Sequence, residues 1–238
     1  MTEIRTRRVN YRDGQTECFG HLALPPGDGP FPVVLINHAW AGQSDFERDK
    51  AEALARLGYA GFAADNYGGG RVGANPEENR AMMKPLIADR AVLRQRLLSA
   101  LTAARAIEEV DASRVAAIGF CFGGLCALDV ARSGADLRGV VSFHGLLSPA
   151  GLSPQKILAK VLVLHGYDDP SVPPEAAMAF ASEMSRVGAD WQLHAYGGTM
   201  HAFTNPLANS PTSGLLYSEP AARRSWQSMT TFLEEVLA

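Results

Sequence analysis

The chain has 238 residues, 47% apolar and 20% charged, which is globular composition and excludes disorder, collagen and coiled coil. Twenty-two Lys and Arg against 25 Asp and Glu leave a net charge of −3, so no basic field invites nucleic acid or an anionic membrane surface. Three cysteines, Cys18, Cys121 and Cys126, are too few and odd in number for a disulfide framework, and point to a reducing, cytoplasmic setting in which one thiol could work. The stretch from Met1 to Tyr11 carries Arg5, Arg7 and Arg8 but no apolar run follows, unlike a secretory signal. The longest uncharged run, Val115 to Leu128, is shorter than the ~18 residues a spanning helix needs.

Arg5 to Tyr11 and Thr16 to Leu24 read as a hairpin around Asp13-Gly14. The Pro/Gly-dense stretch from Leu24 to Pro32 reads as a surface turn. Val33-Val34-Leu35-Ile36 is a continuous apolar run, as in a strand covered on both faces. Phe46 to Leu57 is a predicted helix closed by Gly58, and Tyr59 to Ala64 a strand. Pro85 to Val110 is predicted as one long helix with Leu93, Leu97, Leu101 and Ala104 on a stripe. Then come strand Val115 to Gly119, helix Phe122 to Ser133, strands Val140 to Phe143 and Val161 to His165, helix Pro174 to Gly188, strand Trp191 to Tyr196 and helix Pro220 to Ala238. Alternating strands and helices without a composition break predict one α/β domain over residues 1–238 with a mostly parallel sheet.

Gly119-Phe120-Cys121-Phe122-Gly123-Gly124 lies between a predicted strand and helix, the G-x-S-x-G elbow with cysteine at its centre. A sharp turn there lifts the nucleophile, the glycines avoid side-chain clashes, and the new helix N-terminus favours a thiolate. A buried cysteine in a glycine-rich turn also fits the hexapeptide. After the Val161 to Leu164 strand comes His165-Gly166-Tyr167-Asp168-Asp169-Pro170, where Asp168 and Asp169 compete as the acid. Asp169 is preferred from the His-Gly-x-x-Asp spacing. After the last strand, Gly197-Gly198-Thr199-Met200-His201-Ala202-Phe203 places a histidine in a flexible loop. The order nucleophile, acid, histidine is that of α/β-hydrolases.

These motifs, Gly-Phe-Cys-Phe-Gly-Gly, His-Gly-x-x-Asp-Pro-x-Val-Pro and Met-His-Ala-Phe, together resemble the dienelactone hydrolase family over nearly the whole chain. The resemblance implies an α/β-hydrolase fold, with a mostly parallel central sheet flanked by helices on both faces. It implies a Cys121-Asp169-His201 triad that cleaves a small ester or lactone through a thioester, without cofactor or metal. The oxyanion hole would be the main-chain N–H of Phe122 with that of Trp40, from the loop after the third strand. The family's activating glutamate is replaced by Ala39, leaving thiol activation to His201 and the helix N-terminus. The family's arginine after the histidine is replaced by Asn205. A second family arginine has two candidates, Arg80 and Arg90. His38, His144 and Phe203 are further candidates for the substrate pocket, each with a structural alternative.

Cys18 and Cys126 read as packing residues, and His165 as a packing or hydrogen-bonding one. No His/Cys spacing suggests zinc, and Gly68 to Gly73 lacks the Lys-Ser/Thr of a P-loop. A monomer or small homo-oligomer acting on a small molecule is expected. Acyl transfer, thioester or peptide hydrolysis, and a non-catalytic redox or binding module remain alternatives on the same fold.

Overall fold

Hydrophobic alternation in the first hairpin translates directly into a half-buried ladder. In the computed structural model, which describes residues 3–153 and 155–238, β1 (Arg5–Asp13) pairs antiparallel with β2 (Thr16–Leu24), Asp13 opposite Thr16. Cys18, Gly20 and Leu22 of β2 point inward. Burial pushes the Cys18 thiol up to about 11, which keeps it protonated and inert.

The chain forms two compact units, Met1–Ile118 and Gly119–Ala238. In the first, β3 (Phe31–Asn37) pairs parallel with β4 (Ala60–Ala63), and the strand order is β1-β2-β4-β3-β5, where β5 is Val110–Phe120. Val33 to Ile36 are wholly buried, as the unbroken apolar run predicts. The connecting helix α1 (Asp45–Arg56) starts in a capping box: the Glu47 carboxylate accepts from the Ser44 N–H at 2.9 Å, and Ser44 Oγ accepts from Phe46 N–H.

The predicted Pro85-to-Val110 helix is two helices, α2 (Pro76–Ala88) and α3 (Arg90–Arg105), and β5 already begins at Val110. Asn75 Oδ1 caps α2 by accepting from Glu77 and Glu78 N–H, with Pro76 in the first turn. Asp89 breaks the run and caps α3, accepting from Ala91 and Val92 N–H at 3.1 Å each. Pro85 lies inside α2, not at a helix start. Two short polar caps therefore override the continuous apolar stripe. That stripe itself is correct: Leu93, Leu97, Ala100, Leu101 and Ala104 are buried, and each leucine contributes about 2 kcal/mol.

In the second unit, α4 (Phe122–Arg132) follows β5 after a single residue, and β6 (Gly139–Phe143), β7 (Lys160–Gly166) and β8 (Trp191–Tyr196) pair in parallel. Helix α5 (Pro174–Arg186) connects β7 to β8, as parallel pairing demands. Helix α6 (Glu219–Val236) buries Ala221, Ser225, Met229 and Leu233, one stripe at helical spacing. A small ribbon of β9 (Asn209–Ser210) and β10 (Leu215–Leu216) is too short to leave a periodic pattern and went unpredicted. Among the described residues no helix is long and apolar enough to cross a membrane.

One buried ion pair ties α3 to the first hairpin. Arg96 Nε donates to Asp13 Oδ2 at 2.7 Å, and its other nitrogens donate to the Asn66 carbonyl and Thr16 Oγ1. Removing one member leaves a buried charge without its partner. Arg96→Met is expected to lower stability by about 3–5 kcal/mol in urea unfolding, and the double variant Asp13→Leu/Arg96→Met to recover most of the loss.

Candidate active site

Between the last residue of β5 and the first of α4 stands Cys121 alone, with φ 55° and ψ −116°. A non-glycine residue reaches such angles only when its surroundings impose them, at a cost of about 1–3 kcal/mol. The flanking glycines are required sterically. A Cβ on Gly119 would lie 1.9 Å from the Gly123 carbonyl oxygen, and one on Gly124 would lie 2.6 Å from Ser142 Oγ. Cys121 is partly exposed, whereas Cys18 and Cys126 are buried.

His201 is 5% exposed and meets two partners. Its Nδ1 lies 2.6 Å from Asp169 Oδ2, and Cys121 is near enough to favour its charged form. Asp169 is buried at 1% exposure, and its Oδ1 accepts from the Ser171 N–H at 2.8 Å; Asp168 is exposed. Burial alone would lower the His201 pKa. The negative charge and hydrogen bond of Cys121, with those of Asp169, outweigh it and raise the value to about 10. Cys121 and Asp169 thus both favour the charged form of this buried imidazole.

The unpredicted ribbon positions this imidazole. The His201 N–H donates to the Gly214 carbonyl, and the His201 carbonyl accepts from Leu216 N–H. Gly214 in turn packs against Pro170 of the acid loop, where a Cβ would lie 2.1 Å from Pro170 Cγ. His165 is buried, and neither ring nitrogen has a hydrogen-bond partner among the described residues, so of its two expected roles it fills packing rather than hydrogen bonding.

Several proposed substrate contacts prove to be interior groups. His144 is 2% exposed, with its Nδ1 accepting from the Cys121 N–H at 3.1 Å and its Nε2 bonded to Thr204 Oγ1 at 2.8 Å. Phe203 is wholly buried, with its ring against His144 and Tyr196. His38 is wholly buried, with Nδ1 bonded to the Ala39 carbonyl and Nε2 accepting from Asn66 N–H. None of the three has a face left for a substrate. Asn205 is half-buried and spends its Oδ1 on the Leu207 N–H. In the first unit, Arg80 is exposed on α2 and Arg90 opens α3.

The loop after β3 is more constrained than its sequence suggests. The Ala39 N–H donates to Glu47 Oε1 at 3.0 Å, the Ala39 carbonyl accepts from His38 and Gly42, and the Trp40 carbonyl accepts from Tyr67 Oη at 2.8 Å. The Trp40 N–H donates to no acceptor among the described residues. Phe122 is the first residue of α4. Two contributors were missed from sequence: Glu47, whose Ser44-x-x-Glu47 signature marks a helix start but not a buried support, and Thr204, which carries no motif.

Residues 19–237 match the dienelactone hydrolase family. The solved structure named m3DLH is 41% identical, covers 99% of each chain and superposes with a TM-score of 0.94. A dienelactone hydrolase-like promiscuous phosphotriesterase from metagenomic libraries is 39% identical, covers 99% of this chain and 100% of its own, and has a TM-score of 0.92. A Caenorhabditis elegans protein, K02A2.1, is 39% identical over 150 residues, 61% of this chain and 95% of its own.

The raised His201 pKa has a definite sign in stability. The unfolded histidine titrates near 6.5, so the contribution of the imidazolium is fully present below about pH 6.5 and is lost as pH rises through about 10. In Cys121→Ala, which removes the sulfur's charge and hydrogen bond, NMR titration is expected to show His201 deprotonating at clearly lower pH than in the wild type.

Proposed function

The chain belongs to the dienelactone hydrolase family, whose members cleave lactones and esters, and on that premise we propose that it hydrolyses a small ester or lactone through Cys121, His201 and Asp169. The observation that carries this reading is the buried His201 imidazole, 2.6 Å from a buried carboxylate and electrostatically coupled to the cysteine of a strained strand–helix turn. The Cys121 sulfur attacks the carbonyl carbon, and the developing oxyanion takes the Phe122 main-chain N–H. The second donor expected at Trp40 belongs to the first unit. His201 gives its proton to the departing alkoxide, leaving a thioester. It then takes a proton from water, whose hydroxide attacks the thioester carbon; the carbon–sulfur bond breaks, the acid departs, and the sulfur is left beside the imidazolium, which keeps that proton. Asp169 holds the ring by Nδ1 and offsets its positive charge throughout.

With Asn205 where the family resemblance expects one carboxylate-binding arginine, and Ala39 where it expects the glutamate that activates the cysteine, one arm of the carboxylate clamp is missing, so neutral esters and lactones are the favoured substrates. The enzyme acts in a reducing cytoplasm, where Cys121 stays reduced, as a monomer or small homo-oligomer and as one domain. Phosphotriester cleavage is a second reading, favoured by the name of the 39%-identical metagenomic relative, since the same sulfur can attack phosphorus.

The test is hydrolysis of aryl esters, of lactones with and without a carboxylate, and of aryl phosphotriesters. Cys121→Ala is expected to lose about 10⁴-fold or more in kcat/KM. Rapid quenching of the wild type with an aryl ester should leave one acyl group on Cys121 by mass spectrometry. A wild type inactive on every arm would sink the reading. Urea unfolding is expected as one cooperative transition; two separated transitions would count against the single domain.

A further inference from the structure

We infer that His144 is a positioning residue for the nucleophile: its Nδ1 holds the main-chain N–H of Cys121, and its Nε2–H is anchored on Thr204, so the ring serves as a fixed neutral acceptor. The inference rests on the reading of Cys121 as the nucleophile.

The hydrogen bonds determine the tautomer. The Cys121 N–H points at His144 Nδ1 from 3.1 Å, and an N–H cannot donate to a nitrogen that already carries a proton. The one proton of the neutral ring is therefore on Nε2, where Thr204 Oγ1 stands 2.8 Å away to accept it. Burial, reinforced by the charge of His201 and by His165, pushes the His144 pKa well below the usual histidine value. Protonation would also set two donors face to face at Cys121. His144 and His201 are thus adjacent imidazoles with opposite duties, one held neutral and one held cationic.

The geometry explains why the nucleophile needs such a support. Cys121 (φ 55°) and His144 (φ 38°) are both non-glycine residues in the left-handed region, on successive strand ends, and are bonded to one another. The Cys121 N–H is shared with the Phe143 carbonyl at 3.0 Å, so the backbone atom nearest the sulfur's pivot has two acceptors. The other side of the His144 ring lies edge-on to His201 at 5.1 Å between centroids. One imidazole therefore touches both the backbone of the nucleophile and the ring of the base, and sets their spacing. A displacement of about 1 Å in such a pair can cost about 100-fold in rate.

The test separates the two hydrogen bonds. In wild-type protein labelled with ¹⁵N-histidine, the His144 ring is expected to show the neutral Nε2–H tautomer between about pH 5 and 9, the range in which ordinary histidines titrate. An Nδ1–H tautomer or an imidazolium there overturns the inference. His144→Asn keeps an acceptor near the Nδ1 position and is expected to retain kcat within about fivefold, with His144→Phe losing about 100-fold and KM in both within about twofold. Thr204→Val should fall between them, and it replaces His144→Phe if that variant does not fold. Equal kcat in His144→Phe and wild type also overturns it. If wild type hydrolyses no ester, the hydrolase reading fails separately. Alkylation of Cys121 by iodoacetamide then decides this point: slowing in His144→Phe but not in His144→Asn supports the positioning role, and equal rates refute it.

Discussion

The turn at Cys121 is the constraint on which the second unit depends. One residue ends a buried strand, opens a buried helix and presents a sulfur, and it does so with φ 55°. That conformation is costly for a residue with a side chain. Its neighbours accommodate it: Gly119 and Gly124 supply the space, and the carbonyl of Phe143 and the ring of His144 hold the N–H. The glycines of the motif and the histidine after β6 are two halves of one solution to a backbone problem.

Electrostatics then makes the turn useful. His201 is so buried that its charge should be unfavourable, yet Cys121 and Asp169 together reverse the balance. Asp169 can do this because it is itself buried and bonded, whereas its exposed neighbour Asp168 would be screened by water. The same burial lowers the His144 pKa too, and there it is unopposed by an anionic partner and reinforced by the His201 charge. Two histidines a ring's width apart differ in role because of their partners, not because of their depth.

The first unit shows how polar details override apolar pattern. The stripe from Leu93 to Ala104 is buried as its spacing predicts, but the helix carrying it begins at Asp89's cap rather than at Pro85. A cap acts on a few backbone N–H groups and is easily lost beneath a strong hydrophobic period. Glu47 is similar. Its place three residues after Ser44 announces a helix start, while its second oxygen reaches back to the N–H of Ala39. A carboxylate thus serves the loop after β3 from α1, in a chain that has alanine at position 39.

Local sequence by itself determined the strand–helix alternation, the glycine-flanked cysteine and the chain order of cysteine, aspartate and histidine, because backbone propensity and steric need act over a few neighbouring residues. Tertiary structure alone decided what each histidine does. His38, His144 and Phe203 carried both a pocket and a structural reading in the sequence, and all three are buried inside the protein. Thr204 carries no motif, yet sets a tautomer 60 residues away in the chain. Protonation, tautomer and orientation depend on which groups lie within about 3 Å, a distance that chain spacing does not encode.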